Sequence, residues 1–384
     1  IMKRVASIIY SIVFLLLTGG VGIISFTRLI NYYDTGAVEN NEWTVTLGSK
    51  LETDIATTFF EKSAFVNLNG AVHRILGQRE MNGVVKLENG YLLTTYDYQE
   101  DEKLRRNADK VIQMKQYLDE KGITFLYVIP PYTSCKYDTQ LPAGFQDYGN
   151  DNLDRFAEML EAGGVELLDI RKTMREDGVD HYDMMYKTDH HWTTRAGFYA
   201  FTKINSILMQ ELDCEVDSRV LDFSNYSVAT YPEWHLGSRG QRTGAQFAGI
   251  DDFDLILPMF GTDISDGSEE GAFEDIVINK KALDDREEAS RYTYDNVLGK
   301  SCENFINYCA SNDKRILMVT DSYGKAVNPF LILSYGEVRT GEADYSTIHE
   351  YNPDAVVVLY YINNSLKDDT YDNCVGAKGQ GGDM

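Results

Sequence analysis

The chain has 384 residues, a formal net charge of −24 and five cysteines. That length allows one large α/β domain or two smaller ones, and 43% hydrophobic with 25% charged residues suits a chain that buries a core. The acidic balance argues against nucleic acid as a partner, because phosphate contacts need clustered Lys and Arg, and it leaves neutral or sugar-like ligands open.

Lys3 and Arg4 precede an uncharged run from Val5 to Phe26, about the length of a bilayer-spanning helix. The positive flank predicts an N-terminus inside and the remainder outside the membrane. A cleavable signal peptide competes with this reading, but no clear A-x-A site follows the run. The expected organisation is a transmembrane signal-anchor over 1–28, a membrane-proximal stem over 29–60 and an α/β domain over 61–384. A stretch at about 213–312, rich in Asp, Gly and Ser, reads as a long insertion or active-site cover.

In "NGVVKLENGYLL", Asn89-Gly90 separates two short apolar runs, which predicts a hairpin. Leu104, Ala108, Val111, Ile112 and Leu118 recur at helical spacing up to Gly122, and "ITFLYVIPP" then reads as a buried parallel strand. The pattern repeats with "NLDRFAEMLEAGG" as helix, "VELLDI" as strand and "TTRAGFYAFTKINSILMQEL" as helix. Later come the strand "KRILMVT", a helix interrupted near Pro329 and a last strand in "DAVVVLYYI". Alternating strands and helices predict a mostly parallel sheet with helices on both faces. Cys135, Cys214, Cys302, Cys309 and Cys374 are odd in number and form no C-x-x-C pair, so they read as free thiols, mostly buried.

Ligands of such sheets bind at the carboxyl ends of the strands, and two motifs fall there. "VTDSYG" places Ser322 on a tight strand-to-helix turn, where its hydroxyl is a candidate nucleophile; the plain alternative is a helix cap. "KTDHHWTTRAG" offers a base and its orienting group in one turn. Asp189 and His191, two apart, let a carboxylate meet Nδ1 of an imidazole whose Nε2 remains free for a serine. In the plain alternative, Asp189 caps the following helix. Asp183, Asp189, His190 and His191 also form a candidate metal set, disfavoured because adjacent His side chains diverge.

With these motifs in hand, the chain resembles the DHHW proteins, a branch of the SGNH-like hydrolases similar to periplasmic alginate O-acetyltransferases. The resemblance rests on "LGQREMNGVVKLENGYLL", "YKTDHHWTTRAGFYAF", "HLGSRGQRTGAQF", "VTDSYGKAVNPFL" and "YNPDAVVVLYYINN" together. It implies an SGNH-like, flavodoxin-like fold and a Ser322–His191–Asp189 triad, with Trp192 filling the motif's Trp. Thr320 stands where SGNH enzymes carry the Gly of Gly-Asp-Ser, and no secure match to their Asn block is evident. Arg239, Arg242, Tyr345 and Trp192 are the remaining candidates for substrate binding or the oxyanion.

The resemblance further implies a membrane-anchored, extracytoplasmic O-acyltransferase or esterase. It would act on acyl groups, acetyl by analogy, of a cell-surface polysaccharide, with a membrane-bound O-acyltransferase as partner. Such chemistry needs no cofactor and no metal. The alternative is a non-catalytic glycan-binding or assembly protein of the same fold.

Overall fold

The computed structural model describes residues 19–25, 27, 62–284, 286 and 293–376. The chain divides into two compact units, 1–69 and 70–384. Of the first, the described part is residues 19–25, residue 27 and the beginning of the helix Lys62–Ile75. Most of the expected membrane span and all of the expected stem lie outside the described residues, and no helix among the described residues is long and apolar enough to cross a membrane. All strands among the described residues belong to the second unit.

A small antiparallel sheet opens it, with β1 (Glu80–Met81), β2 (Val84–Lys86) and β3 (Leu92–Leu93). Val85 faces Leu93 and Lys86 faces Leu92, so the Asn89-Gly90 signal does mark a reversal. The main sheet has eight strands. In chain order they are β4 (Thr124–Ile129), β5 (Leu167–Asp169), β8 (Ile264–Ser265), β9 (Glu270–Gly271), β10 (Asn304–Asn307), β11 (Arg315–Thr320), β12 (Glu337–Thr340) and β13 (Ala355–Leu359). Two further strands, β6 (Tyr226–His235) and β7 (Asp251–Pro258), pair separately as an antiparallel ribbon.

Across the main sheet the order is β5-β4-β13-β11-β12-β10-β8-β9. The first five strands are mutually parallel. The last three are antiparallel, so the sheet is mixed where the periodicity predicts a mostly parallel one. The reason is local. β8, β9 and β10 come from the irregular 213–312 stretch, where among the described residues no crossover helix of ordinary length separates the strands to return the chain in the parallel sense.

The central parallel strands β4, β13 and β11 are largely apolar because both their faces are covered. All five residues of β13 are buried, as are Phe125–Ile129 of β4 and Ile316–Val319 of β11. The β4→β5 and β11→β12 crossovers run in opposite directions along the sheet, and right-handed connections therefore put their helices on opposite faces. The helix Asp101–Glu120 begins with Asp101 and Glu102, which suit the positive end of its dipole. It buries Leu104, Ala108, Val111, Met114 and Leu118 along one stripe and packs on the helix Gly149–Ala162.

The serine motif leads into a short 3₁₀ turn, Ser322–Ala326, and then into the helix Asn328–Ser334. Pro329 lies in the first turn of that helix, where its missing N–H costs nothing, so it starts the helix rather than interrupting one. All five cysteines are unbonded; Cys135 and Cys374 are buried and Cys309 is exposed.

The helix Thr194–Glu211 lies directly against the serine turn. A Cβ on Gly197 would stand 2.1 Å from the Ala326 carbonyl oxygen, a backbone atom with little room to retreat. Gly197→Ala is therefore expected to lower stability by about 1–3 kcal/mol. Urea unfolding of the purified domain measures this, and an unchanged midpoint would contradict the close approach.

Candidate active site

The site sits at the carboxyl edge of the parallel strands. β11 ends at Thr320 and β13 at Leu359, paired in register with each other and, through β13, with Val128 of β4. The residues that follow these strands, Asp321 and Ser322 after one and Tyr361, Asn363 and Asn364 after the other, line a cavity of about 350 Å³. Thr94, Tyr96, His190, Ser238, Arg239 and Arg242 complete it.

Asp321 organises the turn after β11. Its Oδ1 accepts from Tyr323 N at 2.9 Å, and its Oδ2 accepts from Tyr361 N and Asn364 Nδ2, each at 2.8 Å. Asp321, not Ser322, is thus the cap of the 3₁₀ turn. The Ser322 hydroxyl is left to a side chain: His191 Nε2 lies 2.7 Å away.

The 187–192 loop brings that imidazole. A bridge between Met185 and Trp192 closes the loop, and Tyr186 N donates to His191 O at 3.2 Å. Thr193 caps the helix Thr194–Glu211 through its side chain, so Asp189 is not the helix cap. The loop also leans on the β6/β7 ribbon. Asp251 accepts from Lys187 N at 3.0 Å, from Thr188 N at 2.8 Å and from Thr188 Oγ1 at 2.7 Å. Gly237 N and Gly240 N donate back to Thr188.

Asp189 is buried, and its Oδ2 lies 2.8 Å from His191 Nδ1. Ser322, His191 and Asp189 therefore form one continuous hydrogen-bonded line. His191 is stacked on Tyr294, with ring centroids 4.2 Å apart. The other oxygen, Oδ1, accepts from His190 N at 2.8 Å, Ser238 N at 3.0 Å and Ser238 Oγ at 2.8 Å. Burial works to raise the Asp189 pKa. Attraction to His191 and hydrogen bonds from His190, His191 and His235 outweigh it and hold the carboxyl well below the usual range. Burial pushes the His191 imidazole below its ordinary value, against the pull of Asp189. The state near pH 7 is an ionised Asp189 beside a neutral His191, since a neutral imidazole still donates its Nδ1–H.

The other candidates separate. Arg239 lines the cavity but is buried, and its guanidinium holds the floor together. Nη1 donates to Leu92 O at 2.8 Å, Thr133 Oγ1 at 2.5 Å and Asp189 O at 2.9 Å, while Nη2 donates to Tyr361 OH at 3.1 Å. Arg242 also lines the cavity, steadied by Asn82 O at 2.5 Å. Trp192 is fully buried and donates to Tyr323 O at 3.0 Å, so it supports the turn from below and presents no surface to a ligand. Tyr345 begins a helix elsewhere, edge-on to Tyr117 at 5.2 Å, and is not among the cavity residues.

Motif reading passed over His235, Ser238, Tyr96, Tyr361 and the pair Asn363-Asn364. The sequence signals were the "HLGS" and "YYINN" strings, which become informative only once both are folded onto this edge.

Asp189, His190 and His191 bring ligand-type atoms within 4.8 Å of one another, but Asp183 is not among them. The contacts between these atoms are hydrogen bonds, with His191 Nδ1 at 2.8 Å and His190 Nδ1 at 3.0 Å from the carboxylate oxygens. Tetrahedral ligands on bonds of about 2.0 Å would stand about 3.3 Å apart, with lone pairs turned toward the ion. The arrangement suits proton transfer better than coordination.

The chain is similar to known proteins over this region. The family of the SGNH hydrolase-like domain of acetyltransferase AlgX matches residues 84–219, a stretch that includes Asp189 and His191 and ends before Ser322. Bacillus cereus PatB1 superposes with a TM-score of 0.61 at 18% identity, covering 76% of this chain and 99% of that one. PatB1 carrying a sulfonyl adduct gives 0.60 at 17% identity, covering 77% and 99%. A DHHW family protein from Eubacterium siraeum gives 0.56 at 16% identity, covering 77% and 96%. No curated protein matches. The chain thus resembles the SGNH-like DHHW proteins in fold as well as in motif.

Gly237 is where the carboxylate and the ribbon meet: a Cβ there would stand 2.1 Å from Asp189 Cβ and 2.5 Å from Cγ. Gly237→Ala is expected to displace Asp189 and lower stability by about 1–3 kcal/mol. Gly261→Ala, with nothing within 4 Å of the added carbon, should not. Denaturant midpoints of the two variants test the contrast.

Proposed function

We propose that the protein is an extracytoplasmic SGNH-like O-acyltransferase or esterase. It acts on acyl groups, acetyl by resemblance, of a cell-surface polysaccharide, and is held to the membrane by the apolar run Val5–Phe26. The observation that carries the reading is the single line of hydrogen bonds from Ser322 Oγ through His191 to Asp189. The match to an acetyltransferase family and the SGNH-like fold support the acyl chemistry.

In the first half-reaction, Ser322 Oγ bonds to the acyl carbonyl carbon while His191 Nε2 takes the serine proton. Asp189 orients the ring and stabilises the imidazolium. The tetrahedral intermediate collapses, the ester C–O bond breaks, and the departing alkoxide takes the proton from His191. In the second, a sugar hydroxyl or water attacks the acyl-serine, gives its proton to His191, and Ser322 leaves with that proton. The oxyanion would be met by the Ser322 amide and by Arg242 or Asn363, whose side chains line the same cavity.

Ser322→Ala should fold as the wild type does and lose at least about 10³-fold in turnover of a small acyl ester. Because PatB1 has been obtained with a sulfonyl adduct, the same class of reagent is a direct probe. It should add mass to the peptide containing Asp321-Ser322-Tyr323 in the wild type and not in the variant. A fully active Ser322→Ala enzyme would end the serine mechanism.

The imidazoles should separate in the same assay. His191→Ala should abolish turnover, and His190→Ala, which leaves the Ser322–His191–Asp189 line in place, should cost less. If the order is reversed, the base is His190.

pH dependence follows from burial of His191. Its depressed pKa keeps it unprotonated near neutrality, so kcat/KM should be on a plateau there. It should fall as pH drops through a midpoint below 6.5. An acid limb centred well above 6.5 would be inconsistent with a buried, neutral base.

A further inference from the structure

Asp189 has a third imidazole. His235 Nε2 lies 3.1 Å from Asp189 Oδ2, the same oxygen that faces His191 Nδ1 at 2.8 Å. His235 is the last residue of β6, fully buried, with its ring 4.6 Å from that of Tyr186. The acyl chemistry outlined above gives it nothing to do.

Counting protons fixes its state. An ionised carboxylate only accepts, so the bond to Oδ2 requires a proton on His235 Nε2. A neutral ring then carries a lone pair on Nδ1, and that atom is buried with no hydrogen-bond partner. A buried unpartnered acceptor costs free energy, and a ring used only for packing could be replaced by an apolar one without that cost. The orphaned Nδ1 is tolerated for the sake of the proton on the other side.

We propose that His235 is a positioning residue: a second imidazole donor that fixes the Asp189 carboxylate and divides its Oδ2 between two rings, weakening its pull on His191. The inference rests on the reading of His191 as general base. Its physical content is a competition. Each donor to an oxygen draws off electron density that the other would use, so an Oδ2 shared by two N–H groups stabilises an imidazolium less than one devoted to His191. His235 would thereby help keep His191 free of its proton at rest, ready to take that of Ser322.

The variants are His235→Phe, which keeps a ring against Tyr186 but removes the donor, and His235→Gln, whose amide N–H2 replaces it. The titratable and charged groups facing Asp189 and His191 are His190, Arg239, Tyr186, Tyr294, Asp295 and Tyr323, and both variants leave them unchanged. Asp251 faces His235 itself and is likewise retained. The readout is the pH titration of the His191 ring by NMR, which needs no turnover and stands whether or not Ser322 proves to be the nucleophile.

In His235→Phe the His191 midpoint should rise by about one pH unit, or tenfold in proton affinity. His235→Gln should restore it to near the wild-type value, and the acid limb of kcat/KM should move with the NMR midpoint in both. A folded His235→Phe protein with an unmoved His191 titration would overturn the proposal, as would a Gln variant shifted as far as Phe. If His235→Phe does not fold, the wild-type protein still decides: ring ¹⁵N shifts must show that the neutral His235 ring carries its proton on Nε2 rather than Nδ1. An Nδ1–H tautomer would refute the shared oxygen outright.

Discussion

A single buried anion sets the terms for this end of the molecule. Taking the Asp189 carboxylate out of water is affordable only if its lone pairs are met by donors, because the desolvation penalty is otherwise several kcal/mol. Here the donors come from two segments far apart in sequence: the 187–192 loop, with His190 N and His191 Nδ1, and the end of the β6/β7 ribbon, with His235 and Ser238. Each segment is incomplete alone. The loop has no way to bury its carboxylate without the ribbon, and "HLGS" has no reason to hold its amides inward without the carboxylate.

The Ser322 side is built by the same logic around a second carboxylate. Asp321 ties the end of β11 to the end of β13 through Tyr361 N and Asn364 Nδ2. Arg239 then links the two halves, donating to the Asp189 carbonyl on one side and to Tyr361 OH on the other. Its interest as a cavity-lining cation is therefore secondary to its role as a brace. A buried guanidinium with every bond pointed at the protein is poorly placed to move toward a ligand.

What could be read from the sequence was what is local. The parallel strands β4, β11 and β13 are runs of apolar residues, and a run is visible without knowing its neighbours. Asp189 and His191 two apart, and Ser322 after a buried strand, are likewise local patterns, and the fold brings those three together. The antiparallel strands β8 to β10 were hidden because two to four residues in a Gly- and Asp-rich stretch have no period to detect. His235 was hidden for a different reason: one His at a strand end says nothing until the strand is laid beside Asp189. Tyr345 was misplaced because the Tyr345–Tyr351 helix leads into β13 from its far end, whereas the cavity gathers residues that follow β11 and β13.

Transfer and hydrolysis differ only in which hydroxyl reaches the acyl-serine, so on the proposed reading the choice rests on how water is kept away. The deep part of the site is shielded from bulk solvent: His191, Asp189 and Trp192 are buried, and Tyr294 covers one face of the His191 ring. The rim is not. Ser322 is half-buried, and His190 keeps 28% of its side chain exposed beside it. No element among the described residues closes over that opening. An acceptor sugar occupying the roughly 350 Å³ cavity would itself displace the water that competes with it. On that proposed reading the same acyl-enzyme would transfer with its glycan bound and hydrolyse without it, with no change in the residues that perform the chemistry.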